Sequence, residues 1–428
     1  MSFPYIPVAS KLHDRREVSL LLEEIERGLR EAGGSRMDGA VADSDRVAFY
    51  FIQTGGVEGE VIRRYRSRAQ QGRPGPMLLI AHSLHNSLPA ALEILAQIRQ
   101  EGGAGRIYLL RGAGDAPTLA DIAQTADCLE ANARLAAERL GRVGESSDWL
   151  VASSQRAEVV AARFGLKVVP LEIAELREAM ARDPAPEQGP EFEAWTRAAS
   201  AEGVSREAFS RVAAVYRGLR DMVERHRLSA VTLRCFDLLE QEGTTGCLAL
   251  SRLADEGISA GCEGDIPSVI LLRWLWHLTG RAGWMANPSD LDVAKGEILL
   301  AHCTVPLGLV ESHRLLTHFE SGRGVGLDGS FRTGPVTLLR LGGAGLDRWW
   351  GAEGTLFESR HDGHLCRTQV RVRVPSAALS ELLRDPLGNH VVLIKGHVKS
   401  RFREAFDWIG SATAASGQKD IARVPGVR

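Results

Sequence analysis

Val18, Leu21, Leu22, Ile25 and Leu29 recur at helical spacing through residues 16–32, and Gly33-Gly34 stops the run. A different pattern follows. Residues 46–53 (RVAFYFIQ) and 76–81 (PMLLIA) are continuous apolar runs of strand length, and residues 106–110 make a third. Helical segments lie between them, including residues 89–100 and the stretch around 121–140. The alternation predicts two more strands, at 148–152 and 166–171, with a helix over 157–164 between them. Continuous apolar strands alternating with helices belong to a parallel sheet covered on both faces. Residues 1–172 are therefore expected to form a Rossmann-like first domain.

From Glu172 to Arg227 the chain is mostly charged and helical, broken by Pro184, Pro186 and Pro190, and reads as a crossover. The alternation then resumes in a second α/β domain, 173–305. It comprises a strand at 230–235, a helix around 247–255, a short stretch at 258–262, a helix at 266–278 and a strand at 297–302. Beyond Pro306 the character changes. Segments 336–341, 354–358, 366–374 and 390–395 alternate apolar and polar residues or are rich in Val, with glycines between them, before a last helix at 400–409. The expected fold class is α/β, with two Rossmann-like parallel-sheet domains followed by a β-rich, antiparallel C-terminal domain (306–428).

Composition narrows the function. The chain has 428 residues, 44% hydrophobic and 25% charged, with a formal net charge of −2. That balance lacks the basic excess of a nucleic-acid binder. No apolar run approaches the roughly 20 residues of a bilayer-spanning helix. The six cysteines form no CxxC pair, and five sit in or beside apolar segments, as buried reduced thiols do. The expectation is a cytoplasmic protein with neither nucleic acid nor membrane as partner.

Three segments carry candidate chemistry. In Gly261-Cys262-Glu263-Gly264-Asp265-Ile266-Pro267, a short apolar stretch delivers Glu263 to a turn where a helix starts at once. Asp265 is a good N-cap and Pro267 fits the first turn. Glu263, flanked by glycine and near a helix N-terminus, suits a metal or a polyol, or is simply solvated. His302 ends the apolar run Leu299-Leu300-Ala301, so its ring nitrogens need core partners or a metal. His390 follows the turn Asp385-Pro386-Leu387-Gly388-Asn389 and opens a strand. One Glu and two His from separate segments suit Mn²⁺, Fe²⁺ or Zn²⁺ with positions left for substrate hydroxyls. Unlike HExxH, they form no local motif.

Read together, these segments resemble the L-fucose isomerase / L-arabinose isomerase superfamily. CEGDIPSVILLRWL (262–275), MANPSDLDVAKGEILLAHC (285–303) and DPLGNHVVLIKGH (385–397) carry the likeness in the second half. LLIAHSLHNSLPAALEILAQIR (78–99) and GRVGESSDWLVAS (141–153) are similar to segments of divergent fucose-isomerase-like proteins. The resemblance implies two α/β domains and a β-rich C-terminal domain, a homo-oligomer (trimer or hexamer), and Mn²⁺ or another divalent metal acting on a small sugar substrate. It makes Glu263 the first ligand and catalytic carboxylate, His390 the C-terminal ligand and His302 an additional one.

The resemblance places the second catalytic carboxylate at Asn287. An amide oxygen can ligate a metal but cannot act as a base. Asp290 or Asp292 could reach in instead, Asp265 could help, or the chemistry is not simple isomerisation. The alternatives are carbon–carbon cleavage or transfer on a sugar derivative, or a non-catalytic sugar-binding protein.

Weaker substrate candidates are Arg234 at a strand end, with Asp237 beside it, and Glu320 and Arg323 in a Gly-rich turn. His82 and Asn86, also beyond a strand end, could reach a neighbouring subunit's substrate or only cap a helix. His361, His364 and His397 read as surface residues and Trp349-Trp350 as packing. The Gly-rich stretches lack a dinucleotide fingerprint, so neither NAD nor ATP is expected.

Overall fold

In the computed structural model, residues 2–37, 47–71, 75–182, 192–195 and 203–409 are described. The chain divides into two compact units, residues 1–133 with 403–428, and residues 134–402.

The first unit is built on five parallel strands. They are β1 (Phe3–Val8), β2 (Gly34–Arg36), β3 (Phe49–Ile52), β4 (Met77–Ala81) and β5 (Gly105–Leu109), in the order β2-β1-β3-β4-β5. Every residue of β3 and β4 is buried because both faces are covered. Tyr50, Ile52 and Leu79 face one apolar layer with Ile94 and Ile98, while Phe49, Phe51 and Leu78 face the other with Val18 and Leu22. The sequence pattern does not announce β1. Its FPYIPV carries two prolines, each lacking a donor that a central strand normally uses.

The second unit begins with another parallel sheet. It contains β6 (Arg139–Val143), β7 (Lys167–Leu171), β8 (Ala230–Leu233) and β9 (Ser259–Cys262), in the order β7-β6-β8-β9. β7, a strand expected in the first domain, and β6, not expected as a strand, thus share a sheet with the strands expected in the second. The helix anticipated over 121–140 spans Ala116–Ala136, and its expected last residues are the start of β6. Residues 148–152, expected as a strand, form turns.

Antiparallel strands complete the unit. β10 (Trp284–Asp292), β11 (Glu297–His302), β14 (Gly334–Gly342), β15 (Arg348–Arg360), β16 (Thr368–Arg373) and β17 (Val391–Lys395) close a barrel in the order β10-β11-β16-β15-β14-β17. A hairpin of β12 (Ser312–Leu316) and β13 (Gly326–Ser330) stands beside it. The parallel α/β sheets and the antiparallel C-terminal domain agree with the expected fold class. β10 and β11, expected in the second α/β domain, are barrel strands.

The helix Ile266–Thr279 packs on β8 and β9 and also on β10, β14 and β17. It is apolar on nearly every side, from Ile266 to Leu278, as a helix between two layers must be. Asp265 caps it by accepting from the Ser268 N–H at 2.8 Å, and Pro267 occupies its first turn. The turn before this helix therefore faces the barrel.

Among the described residues, no helix is long and apolar enough to cross a membrane.

Candidate metal centre

Glu263 is the first residue past β9. Its backbone is left-handed, at φ 65°, and Gly264 follows at φ 72°. A non-glycine residue there is strained, and such strain persists only where the surroundings impose it. They do so here. Ser147 N–H donates to the Glu263 carbonyl at 2.8 Å, and the Ser146 hydroxyl donates to the Gly264 carbonyl at 2.8 Å. A Cβ on residue 264 would lie 2.6 Å from Ser146 Cα, so only glycine admits the loop.

The barrel supplies the other groups. Asn287 on β10 pairs with Ala301 on β11, immediately before His302. A β-bulge follows between Pro288 and Asp290, the kind of irregularity that re-aims side chains at a strand end. Ala286 pairs with Val391 on β17, which sets Asn287 beside His390 at the same barrel end. Glu263, His302 and His390 each present a ligand atom within 4.8 Å of the other two.

Behind the triad lies a buried charge relay. Asp265 is fully buried; its Oδ2 accepts from His390 Nδ1 at 2.8 Å and from Arg340 Nη1 at 3.1 Å. Arg340, on β14 and 1% exposed, also donates to the Ser268 hydroxyl, the Leu387 carbonyl and the Ser153 hydroxyl. Gly388 is needed for this packing, since a Cβ there would sit 2.3 Å from Arg340 Nη2.

With Nδ1 committed to Asp265, His390 turns Nε2 toward Glu263. That atom is buried without a hydrogen-bond partner. It lies 3.7 Å from Glu263 Oε1, an ion-pair distance but too long for a hydrogen bond. Asn287 Oδ1 is likewise buried and unpartnered. Two buried atoms without partners, the amide oxygen and an imidazole nitrogen that becomes a lone-pair donor once its proton leaves, stand among a carboxylate and a second imidazole and fit a divalent cation of the Mn²⁺, Fe²⁺ or Zn²⁺ class. His302 is arranged differently. Its Nδ1 accepts from the Thr304 N–H at 3.2 Å, so the metal-free neutral ring carries its proton on Nε2, and ligation through Nε2 would move that proton to Nδ1 at the cost of the Thr304 hydrogen bond.

The electrostatics follow. Burial opposes ionisation of Asp265, but Arg340 and His390 hold its carboxyl far below the usual range. Burial also opposes charge on His390, yet Asp265 and Glu263 raise its pKa to about 9. Burial, with the His390 charge adding to it, lowers His302 to about 4. Burial raises Glu263, but His390, His302 and the Trp149 N–H outweigh it and leave the carboxyl below its ordinary value. At neutral pH the cluster holds two carboxylates, one imidazolium and one neutral imidazole.

A pocket of about 360 Å³ opens onto this cluster, with Glu263, Asn287 and His302 in its wall. Trp149 Nε1 donates to Glu263 Oε2 at 2.7 Å. Its ring meets Phe236 edge-on at 4.9 Å, and Phe236 meets His318 at 5.9 Å, making an aromatic side. Five of the six cysteines, at 235, 247, 262, 303 and 366, also line the pocket, and all six are free thiols.

The remaining sequence candidates fall elsewhere, except one. Glu320 is in the pocket wall, at its exposed rim. Asp265 does not face the pocket; it orients His390. Arg234 is spent on Asp237, Asp148 and the Ser146 carbonyl, bracing the loop that carries Trp149. Arg323 is exposed and outside the pocket wall. His82 belongs to the first unit, buried, with Nε2 on the Gln53 carbonyl and Nδ1 accepting from Leu84 N–H. Asn86, also there, is the left-handed residue preceding helix Ser87–Gln100.

Sequence reasoning missed Trp149, Phe236, His318 and Arg340. Arg340 left a signal: an arginine inside VTLLRLG, an otherwise apolar strand, must have a buried carboxylate waiting for it.

No protein-family model matches the chain. The chain is 25% identical over 198 residues to a sulfoquinovose isomerase of Alkalicoccus urumqiensis. The match covers 44% of this chain and 44% of that protein, so the chain spans less than half the length of the curated relative it matches.

Proposed function

We propose that the chain is a metal-dependent aldose–ketose isomerase acting on a sugar or sugar derivative, with Mn²⁺ or another divalent ion held by Glu263, His302 and His390, and by the Asn287 amide oxygen. The observation that carries it is the triad within 4.8 Å, backed by Asp265 on the far nitrogen of His390. The partial similarity to a sulfoquinovose isomerase supports the same reaction class.

A divalent cation in this site supplies a positive centre that polarises the carbonyl and the adjacent hydroxyl of a bound sugar. The chain's own residues do the rest. Glu263 is ionised, and the Trp149 N–H on Oε2 fixes its direction. It can therefore take a proton from the carbon beside the carbonyl and return it to the neighbouring carbon through an ene-diol. Trp149 and Phe236 offer apolar faces to the sugar ring and thin the water around the transfer.

Asn287 motivates the rival readings. With one carboxylate replaced by an amide, the site could instead cleave or transfer a carbon–carbon bond, which yields fragments. A non-catalytic sugar binder would show saturable binding and no turnover.

The test is incubation of the Mn²⁺-loaded protein with a panel of aldoses, ketoses and sulfoquinovose, read by mass and NMR. A product of equal mass, absent with Glu263→Gln, is expected. Fragments, or binding without turnover, would overturn the isomerase reading.

A further inference from the structure

Resting on the isomerase reading above, we propose that Glu320 is the second proton-transfer carboxylate of this site, acting at the substrate oxygens while Glu263 acts at carbon.

The position expected to carry that carboxylate is Asn287, whose amide neither takes nor gives a proton at neutral pH. The nearby acids are committed. Asp290 Oδ1 accepts from the Leu291 N–H at 2.8 Å. Asp292 is paired with Lys295 at 2.7 Å and also accepts its N–H. Asp265 is saturated by Ser268, Arg340 and His390. Among the described residues, Glu263 and Glu320 are the only two acids in the pocket wall.

The turn that carries Glu320 is also held in place. The His318 N–H donates to the Arg323 carbonyl at 3.0 Å and the Gly322 N–H to the His318 carbonyl at 2.9 Å, closing the turn around it. Thr245 exchanges hydrogen bonds with both backbone groups of Val325, at 3.1 and 3.2 Å, and ties the turn down. His318 places the aromatic side next to it. Partial burial raises the Glu320 carboxyl above its ordinary value.

The proton ledger closes without a further reactant. Glu263 removes the hydrogen on C2 of an aldose; those electrons form the C1–C2 double bond. The carbonyl electrons move to O1, which takes the proton of the Glu320 carboxylic acid. The Glu320 carboxylate then removes the O2 proton, C2=O2 forms, and C1 takes the proton back from Glu263. Both acids end as they began.

The experiment compares wild type, Glu320→Gln and Glu320→Asp on the sugar the wild type isomerises, with metal content, KM and kcat measured for each. For Glu320→Gln, kcat should fall ~100-fold or more, with KM changed only a few-fold and metal retained; Glu320→Asp should recover part of the rate. Glu320→Gln with wild-type kcat overturns the role of Glu320 while the isomerase reading stands. Loss of metal or folding in Glu320→Gln, not restored by Glu320→Asp, also overturns it. An inert wild type overturns both together.

Discussion

Asp265 and His390, 125 residues apart in the chain, meet through a 2.8 Å hydrogen bond in which neither side chain touches solvent. The bond turns His390 so that Nε2 faces Glu263, and it raises the basicity of that nitrogen. Arg340 on the same carboxylate balances its charge. Replacing Asp265 by Asn should weaken divalent-metal binding by about 10–100-fold. It should also cost about 3–5 kcal/mol of stability, because Arg340 is left charged and buried without a counter-charge. Metal titration and denaturant unfolding of the variant check both numbers.

The two histidines should not be equivalent. His390 has a carboxylate behind it and a bare Nε2, whereas His302 has Nδ1 occupied by the Thr304 N–H and carries its proton on Nε2. His390→Ala should therefore lose metal affinity by a larger factor than His302→Ala, as read by calorimetric titration with Mn²⁺. The reverse order would show that His302 is the principal nitrogen ligand.

A pH effect is expected away from the metal site. Burial raises the Glu138 carboxyl, but the two-pronged grip of Arg273 wins and lowers its pKa to about 2 from an ordinary 4.5. A depressed carboxylate pKa stabilises the folded state above the ordinary value, and the gain disappears as pH falls through the folded one. Wild type should exceed Glu138→Gln by about 2 kcal/mol at pH 7. The gap should shrink below pH 4.5 and vanish near pH 2, as followed by urea unfolding across pH.

Gly388 stands at φ +141° beside the Arg340 guanidinium, with no room for a methyl group. Gly388→Ala should destabilise the second unit by roughly 1–3 kcal/mol and weaken metal binding through the displaced arginine. Thermal unfolding with and without Mn²⁺ separates the two effects.

Strands covered on both faces were the most legible part of the sequence. FYFI and MLLIA leave no other place to put their side chains. Segment 148–152 reads as a strand because WLVA (149–152) is apolar. Trp149 and Val151, however, are 50% and 87% exposed, and Trp149 is turned to the pocket and Glu263. β6 escapes notice because RLGRV is short and carries two arginines. β10 and β11 follow an α/β sequence directly, and only their pairing with β16 and β17 reveals the barrel. Glu263, His302 and His390 stand out singly at segment ends. Their convergence depends on barrel closure, which brings β10 against both β11 and β17. Asp265 reads locally as a helix cap, and it is one; its grip on Arg340 and His390 depends on partners 75 and 125 residues away.

The central claim, a divalent ion at Glu263, His302 and His390, is tested most directly by elemental analysis of the purified protein after Mn²⁺ loading and removal of free metal, with Glu263→Gln measured alongside. About one divalent ion per chain in the wild type, and far less in the variant, is the expected result. A wild type that retains none would contradict the claim, as would a variant that holds as much as the wild type.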